Sequence, residues 1–394
     1  MSGGRSDVTD RIDRPSFSDV QVAAFRLRRH HLDLRASRGR LESVVGDICG
    51  VQAQVMGMAR IALWARLRQL TVTDVERAIE QKRTIVKTWS MRGTLHLHPS
   101  GELPVVLGGL MATRLAHEQR RIRRLGLKEE ETTSMILKAL ADGPLTRGQL
   151  SEHPGTRLGT KAEDWTDGGW GRKTVGTATT WQLVRPGVVR GLVCFGPSDG
   201  QEITFARTDQ WLRDPPSRLS EVEAEEAFLR RYLRSFGPSD VHDMRAWSGI
   251  HVRRLRTILG RLGDELLEVE RDGGAAFLLR KDLPDLEAAT GDGGVVRLLP
   301  SFDAFLLGHR GRDHLVDRAH YKDVYKDQGW LAPVVLVDGR VEGTWSYQRK
   351  PRSLDVAVRM FTSFGRETRR RLEEEARDLT RFLEAGAAKT RFTK

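Results

Sequence analysis

Cysteine is nearly missing. The 394-residue chain has two, Cys49 and Cys194, far apart and each beside apolar neighbours. Two thiols cannot build a zinc site and make a poor disulfide framework, which suits a reducing, cytoplasmic setting. No apolar run approaches the roughly 18 residues of a spanning helix, so no membrane partner is expected. The opening residues, Met1-Ser2-Gly3-Gly4-Arg5-Ser6-Asp7, lack the apolar stretch of a signal peptide. The phosphate-binding loop that ends in Gly-Lys-Ser/Thr does not occur, and no obvious dimerising coiled coil is present. Acidic residues are also short: 53 Asp and Glu face 65 Lys and Arg, which leaves a net charge of +12. That imbalance favours a polyanionic partner, nucleic acid above all.

What is present has the length for several modules. Residues 1–15 read as a tail. Apolar residues at helical spacing mark residues 20–32, 41–48 and 56–70, and Thr73 is placed to cap a fourth helix over 74–81. Residues 85–97 alternate like strands, and helices followed by a strand pair is the order of a winged helix. A faint repeat follows. Gly143-Pro144 and Gly237-Pro238 each stop a helix, with Thr146 or Ser239 placed to cap a short second one. In the later copy Ser220-Glu221-Val222-Glu223 forms a capping box. Trp247-Ser248-Gly249 is a tight turn, 250–262 a candidate recognition helix, and 266–280 a hairpin wing. The earlier copy carries a polar, glycine-rich insert at 155–176, read as a surface loop. Asp214-Pro215-Pro216 separates the two copies. Beyond about residue 290, strands at 295–299, 333–337, 341–347 and 354–361 and a charged helix at 366–383 suggest a β-rich, barrel-like closing module. The expected fold is α+β: winged helices at 16–125, 126–214 and 215–285, then the module at 286–394.

Chemistry concentrates in Gly50-Val51-Gln52-Ala53-Gln54-Val55. Two carboxamides neither titrate nor act as nucleophiles, but their paired donors and acceptors can hold a water molecule. On a helix, residues two apart point about 200° away from each other; on extended backbone they share one side. Spacing alone leaves open that these are two surface glutamines. Further on stands Trp89-Ser90-Met91-Arg92-Gly93-Thr94-Leu95-His96-Leu97-His98-Pro99, and later Leu298-Leu299-Pro300-Ser301-Phe302-Asp303-Ala304-Phe305-Leu306-Leu307-Gly308-His309-Arg310. These stretches resemble the AlkZ/YcaQ-like family of winged-helix DNA glycosylases, and the resemblance extends over most of the chain.

The resemblance implies that the Gln-apolar-Gln motif is catalytic, with Gln52 and Gln54 orienting a water. It implies three tandem winged helices, C-shaped with a basic concave face, around double-stranded DNA carrying alkylated purines. A guanine alkylated at N7 or an adenine alkylated at N3 is a cationic leaving group, so no general acid is needed; water must only be placed against C1′. Bulky N7-alkylguanine and interstrand crosslinks are the implied lesions, in repair or in self-resistance to a genotoxic natural product. No cofactor is expected, and a monomer is. The alternative is a non-catalytic transcription regulator, since winged helices commonly bind without catalysing.

Other residues keep two readings each. Arg92 and His96 fall on one side of a strand, and Trp89 has a π face for a base or sugar; equally, the hairpin packs inward and Arg92 meets a phosphate. His96 and His98 can share a metal, but no acidic or Cys partner is near in sequence, so no metal is expected. Asp303, in apolar surroundings, either pairs with Arg310 or Arg312 or lines the site as a carboxylate near the nascent cation. Arg253, Arg254 and Arg256 on the recognition helix are natural phosphate contacts, as is the run Arg120, Arg121, Arg123 and Arg124. No lysine stands beside the motif as a Schiff-base nucleophile, so no lyase step is expected.

Overall fold

The computed structural model describes residues 14–153, 175–199, 202–214, 217, 219–271, 274–291 and 293–393. One element order, helix–strand–helix–helix–strand–strand, recurs along the chain. Its first copy comprises helix Leu41–Asp47, strand Val51–Gln52, helices Met56–Trp64 and Val72–Glu76, and strands Ile85–Trp89 and Leu95–Pro99. The strands form an antiparallel sheet with Leu95–Pro99 in the middle and Val51–Gln52 at an edge. The second copy has helices Glu129–Ala139, Arg147–Glu152 and Val175–Val189, and strands Leu145–Thr146, Val193–Asp199 and Glu202–Arg207. In the third, Ser239 makes a lone bridge to Phe277 where the first strand belongs. Helices Glu221–Phe236, Val241–Ser248 and Val252–Leu262 and the hairpin of Leu266–Arg271 with Gly274–Leu279 complete it.

Local chemistry accounts for these boundaries. Reciprocal capping boxes open helices in all three copies: Thr71 with Asp74, Thr146 with Gln149, and Ser220 with Glu223. Thr71, not the expected Thr73, is thus the cap in the first copy. Gly249, at φ +80°, ends Val241–Ser248 in the left-handed conformation that glycine adopts without strain. Helix Leu103–Arg124 runs between the copies and packs on both Glu221–Phe236 and Val175–Val189. Its Gly108 and Gly109 permit the closest approach, since a Cβ there would meet Ala224 Cβ at 2.6 Å and Phe228 Cβ at 2.5 Å. Only its arginine-rich tail was apparent from sequence.

The C-terminal sheet has five strands in the order Val296–Leu299, Val334–Val337, Arg340–Lys350, Ser353–Met360, Ala387–Thr393. The first four are antiparallel and the last is parallel to its neighbour. The sheet is open, with two edges, so the expected barrel-like closure is corrected. Helix Arg366–Phe382 covers it, and the sheet shares one apolar core with the first copy: Val44, Ile61 and Leu67 join Leu298, Val335 and Leu354, and Trp64 stacks near Phe382.

Helix Asp19–Arg29 lies beside the first copy in sequence but buries Val22 and Phe25 against Val269 and Leu278 of the third and Leu286 of the short helix after it. Just before it, the Pro15 carbonyl accepts a bond from the Glu270 amide. Most of the expected 1–15 tail and of the 155–176 insert lies outside the described residues. Among the described residues, no helix is long and apolar enough to cross a membrane.

Candidate active site

The backbone leaves helix Leu41–Asp47 through two successive left-handed residues, Cys49 at φ 58° and Gly50 at φ 94°. A Cβ on Gly50 would sit 2.4 Å from His98 Cε1, so both its conformation and its neighbour require glycine. The chain emerges extended. Val51 pairs with Leu97, Gln52 with His96, and the Ala53 amide donates to the Leu95 carbonyl at 2.7 Å. Burial then alternates: Val51 and Ala53 are buried, Gln52 is half-buried and Gln54 exposed. Gln52, at the end of an edge strand, and Gln54, in the bend that follows it, therefore both lie on the less buried side of the segment just before helix Met56–Trp64.

Their orientation follows from what surrounds them. Arg92 Nη2 donates to Gln52 Oε1 at 3.2 Å, and the Leu95 amide donates to Gln54 Oε1 at a long 3.4 Å. Guanidinium and backbone N–H are donors only, so each amide must turn its oxygen inward. The NH2 groups are left to face outward. Each carbonyl oxygen keeps a second lone pair, most available on exposed Gln54.

Arg92 stands in the tight turn between the two long strands, at φ 55°, followed by Gly93 at φ 73°. Its Nη1 donates to the Trp247 carbonyl of the third copy at 2.8 Å. Burial, then Arg114, lowers its pKa to about 10, so it remains a cation at neutral pH. His96, 3% exposed, lies opposite Gln52, with Nδ1 3.1 Å from the Thr94 carbonyl; burial and the nearby Arg92 keep it neutral. His98 Nε2 meets Ser90 Oγ at 2.9 Å, and burial lowers it to about 3. Each imidazole has one ring nitrogen engaged in these contacts, and among the described residues no group of three or more His, Cys, Asp or Glu could hold a metal. Lys87 is pushed down to about 8 by burial, yet it pairs with Leu97 and so sits on the opposite face from Gln52 and His96.

Several expected contacts are engaged elsewhere. Trp89 is 8% exposed and packs against Trp181, Phe195 and Phe205 of the second copy, with Arg185 over its ring; no face remains for a base. Arg254 is held by Glu225 at 2.6 Å and by Glu221, on the neighbouring helix. Arg253 and Arg256 are exposed, as are Arg120, Arg123 and Arg124. Asp303 does not line the site and does not pair with Arg310 or Arg312. It is buried against Arg66, a residue that nothing local in sequence marks as its partner. Arg114 and the Trp247 carbonyl, both close to Arg92, were likewise invisible: they come from distant segments.

Known proteins carry the same architecture. The family described as DNA glycosylase AlkZ-like matches residues 45–382. The interstrand DNA cross-link repair glycosylase of Streptomyces sahachiroi is 32% identical over 334 residues, covering 82% of this chain and 86% of that protein. The solved structure of the Streptomyces sahachiroi DNA glycosylase AlkZ superposes with a TM-score of 0.81 at 28% identity, covering 96% of this chain and all of that one. With the match spanning the glutamine strand, all three repeated units and most of the C-terminal sheet, the chain belongs to the AlkZ-like family of DNA glycosylases.

Proposed function

We propose that this glycosylase hydrolyses the N-glycosidic bond of cationic alkylated purines in double-stranded DNA, bulky N7-alkylguanine among them. The one-sided, donor-fixed presentation of Gln52 and Gln54 carries the reading. A water accepting from the Gln52 NH2 and donating to the second lone pair of Gln54 Oε1 keeps one lone pair for C1′. The purine departs with the glycosidic electron pair as a neutral base, because alkylation has already given it a positive charge; the attacking water forms the C1′–O bond and releases its proton to solvent, so neither a general acid nor a strong base is required. Neutral bases such as uracil are poor substrates on this scheme. The side chains used are uncharged amides, and Lys87 points away from them, so the product is an abasic site with no lyase step.

The three repeated units are read as winged helices around one basic concave face, acting as a monomer in the cytoplasm. The net charge of +12 supports that reading. The named relative repairs interstrand crosslinks. The motif at the exposed edge of a sheet suits such lesions, because a tethered base cannot be extruded into a deep pocket. Family membership displaces the transcription-regulator alternative.

The test is release of free base from duplex DNA bearing N7-methylguanine or a nitrogen-mustard crosslink. The wild type should release base, and Gln52→Ala and Gln54→Ala should each slow the single-turnover step by roughly tenfold or more at unchanged DNA affinity. Release unaffected by either substitution overturns the water-holding assignment. No release from active, well-folded protein overturns the substrate class.

A further inference from the structure

We infer that Arg92 is a positioning residue for this reaction: its guanidinium ties the Gln52 carboxamide to the main chain of the third repeated unit, so the site is complete only when that unit is docked. The inference rests on the water-holding reading of the glutamine pair.

Both bonds of Arg92 go to neutral acceptors, Gln52 Oε1 at 3.2 Å and the Trp247 carbonyl at 2.8 Å. The second acceptor is fitted to a cation. Trp247 lies in the last turn of helix Val241–Ser248, where carbonyls have no intrahelical donor and the helix dipole is negative. Its indole packs against Phe228, Tyr232 and Phe236 of helix Glu221–Phe236, which fixes the backbone that carries the carbonyl. The two segments are in contact, for a Cβ on Gly249 would lie 4.0 Å from Arg92 Cα and 3.7 Å from Arg114 Nη2. Arg92 itself is held in a left-handed turn, φ 55°, that aims the side chain across the seam. A planar fork joining two fixed acceptors cannot be reproduced by the single ammonium of lysine. Releasing the tie lets the Gln52 amide rotate, and with it the donor that holds the water. The arrangement differs from a phosphate contact, in which an exposed guanidinium awaits its anion.

The test is a double-mutant cycle on single-turnover base release, with DNA affinity and its salt dependence measured in parallel. Arg92→Met should slow release by up to about tenfold, and by no more than Gln52→Ala does, the scale of a misplaced group at a reacting centre. DNA affinity and salt slope should not change. Gln52→Ala combined with Arg92→Met should be no slower than Gln52→Ala alone, because Arg92 acts only through Gln52. Arg92→Lys, which keeps charge and stem, should behave like Arg92→Met, and it carries the test should the methionine variant melt early. Rate losses that multiply in the double variant overturn the inference. So does weakened DNA binding with a salt slope reduced by about one, the signature of a phosphate contact. In either case the wild type and Gln52→Ala still differ, so the function reading survives. A wild type that releases no base removes both.

Discussion

Asp303 and Arg66 form a two-pronged ion pair, at 2.7 and 2.8 Å, with no solvent exposure on either side chain. The pair joins the loop after the glutamine-bearing unit's third element to the C-terminal module, and Asp303 also caps helix Ala304–Leu307 through the Phe305 amide. Removing one partner of a buried pair strands the other in low dielectric. Asp303→Asn should therefore destabilise the protein by about 3–5 kcal/mol. Thermal melting would read the loss, while base release per folded molecule should not change. A folded variant with slowed release would return Asp303 to the site.

Gly50→Ala combines two penalties, a positive φ and a Cβ 2.4 Å from His98 Cε1. The expected result is a lowered melting temperature together with lost activity, because the strand carrying Gln52 starts there. Adding His98→Ala relieves the clash with the imidazole but leaves the backbone strain and a 3.0 Å approach to the Leu97 carbonyl, so the double variant should recover only part of the stability. Full recovery would make the clash the whole effect.

Features set by a few neighbouring residues were legible in the sequence: the Ser220–Glu223 capping box and the Gly249 stop. Features set by distant partners were not. Asp303 has Arg310 and Arg312 nearby in sequence, yet pairs with Arg66 across 237 positions. Arg254 looks free on its own helix, and only the packing of Glu221–Phe236 against it reveals Glu225. Helix Leu103–Arg124 contains Pro104, Gly108 and Gly109, residue types that weaken a local helical signal; the proline sits in the first turn and the glycines serve a close crossing. The final strand, Ala387–Thr393, is a polar edge whose alternation buries little, so no hydrophobic signal announces it. Whether a sheet closes depends on which edges meet, which no segment of the C-terminal module encodes by itself.

Buried imidazoles predict acid sensitivity. Burial holds His30, His96 and His309 well below the usual range, His98 at about 3 and His314 at about 2. With the folded pKa below the unfolded value of about 6.5, the unfolded chain binds more protons in between. Stability is then full above roughly pH 6.5 and falls as pH drops, by up to about 1.4 kcal/mol per pH unit for each imidazole. Glu375 and Asp243, raised by burial, act in the opposite sense: the folded chain holds their protons above the usual carboxylate range of about 4, so their contribution falls as pH rises. Melting temperatures should decline steeply from pH 6.5 to 5 (an interval set by the reference imidazole). The single-turnover rate should stay flat from about pH 6.5 to 8, because His96 is neutral throughout. An imidazole-like step in the rate over that interval would contradict the placement of His96.

The recognition-helix arginines should separate by their partners. Arg253 and Arg256 are exposed, whereas Arg254 bridges to Glu225 and Glu221 on the preceding helix. An arginine already neutralised by carboxylates displaces few counterions from DNA, because its field is compensated before the duplex arrives. Arg253→Ala and Arg256→Ala should each weaken binding to any duplex and lower the salt slope by about one. Arg254→Ala should leave that slope unchanged and instead lower the melting temperature, since it leaves a carboxylate of Glu225, 2% exposed, with less of its compensation. Titrating all three variants on one undamaged duplex across a range of salt separates the outcomes. Equal slopes for the three would mean that the ion pairs open when DNA binds; slopes unaffected in every case would move the binding face away from helix Val252–Leu262 and toward the exposed Arg120, Arg123 and Arg124.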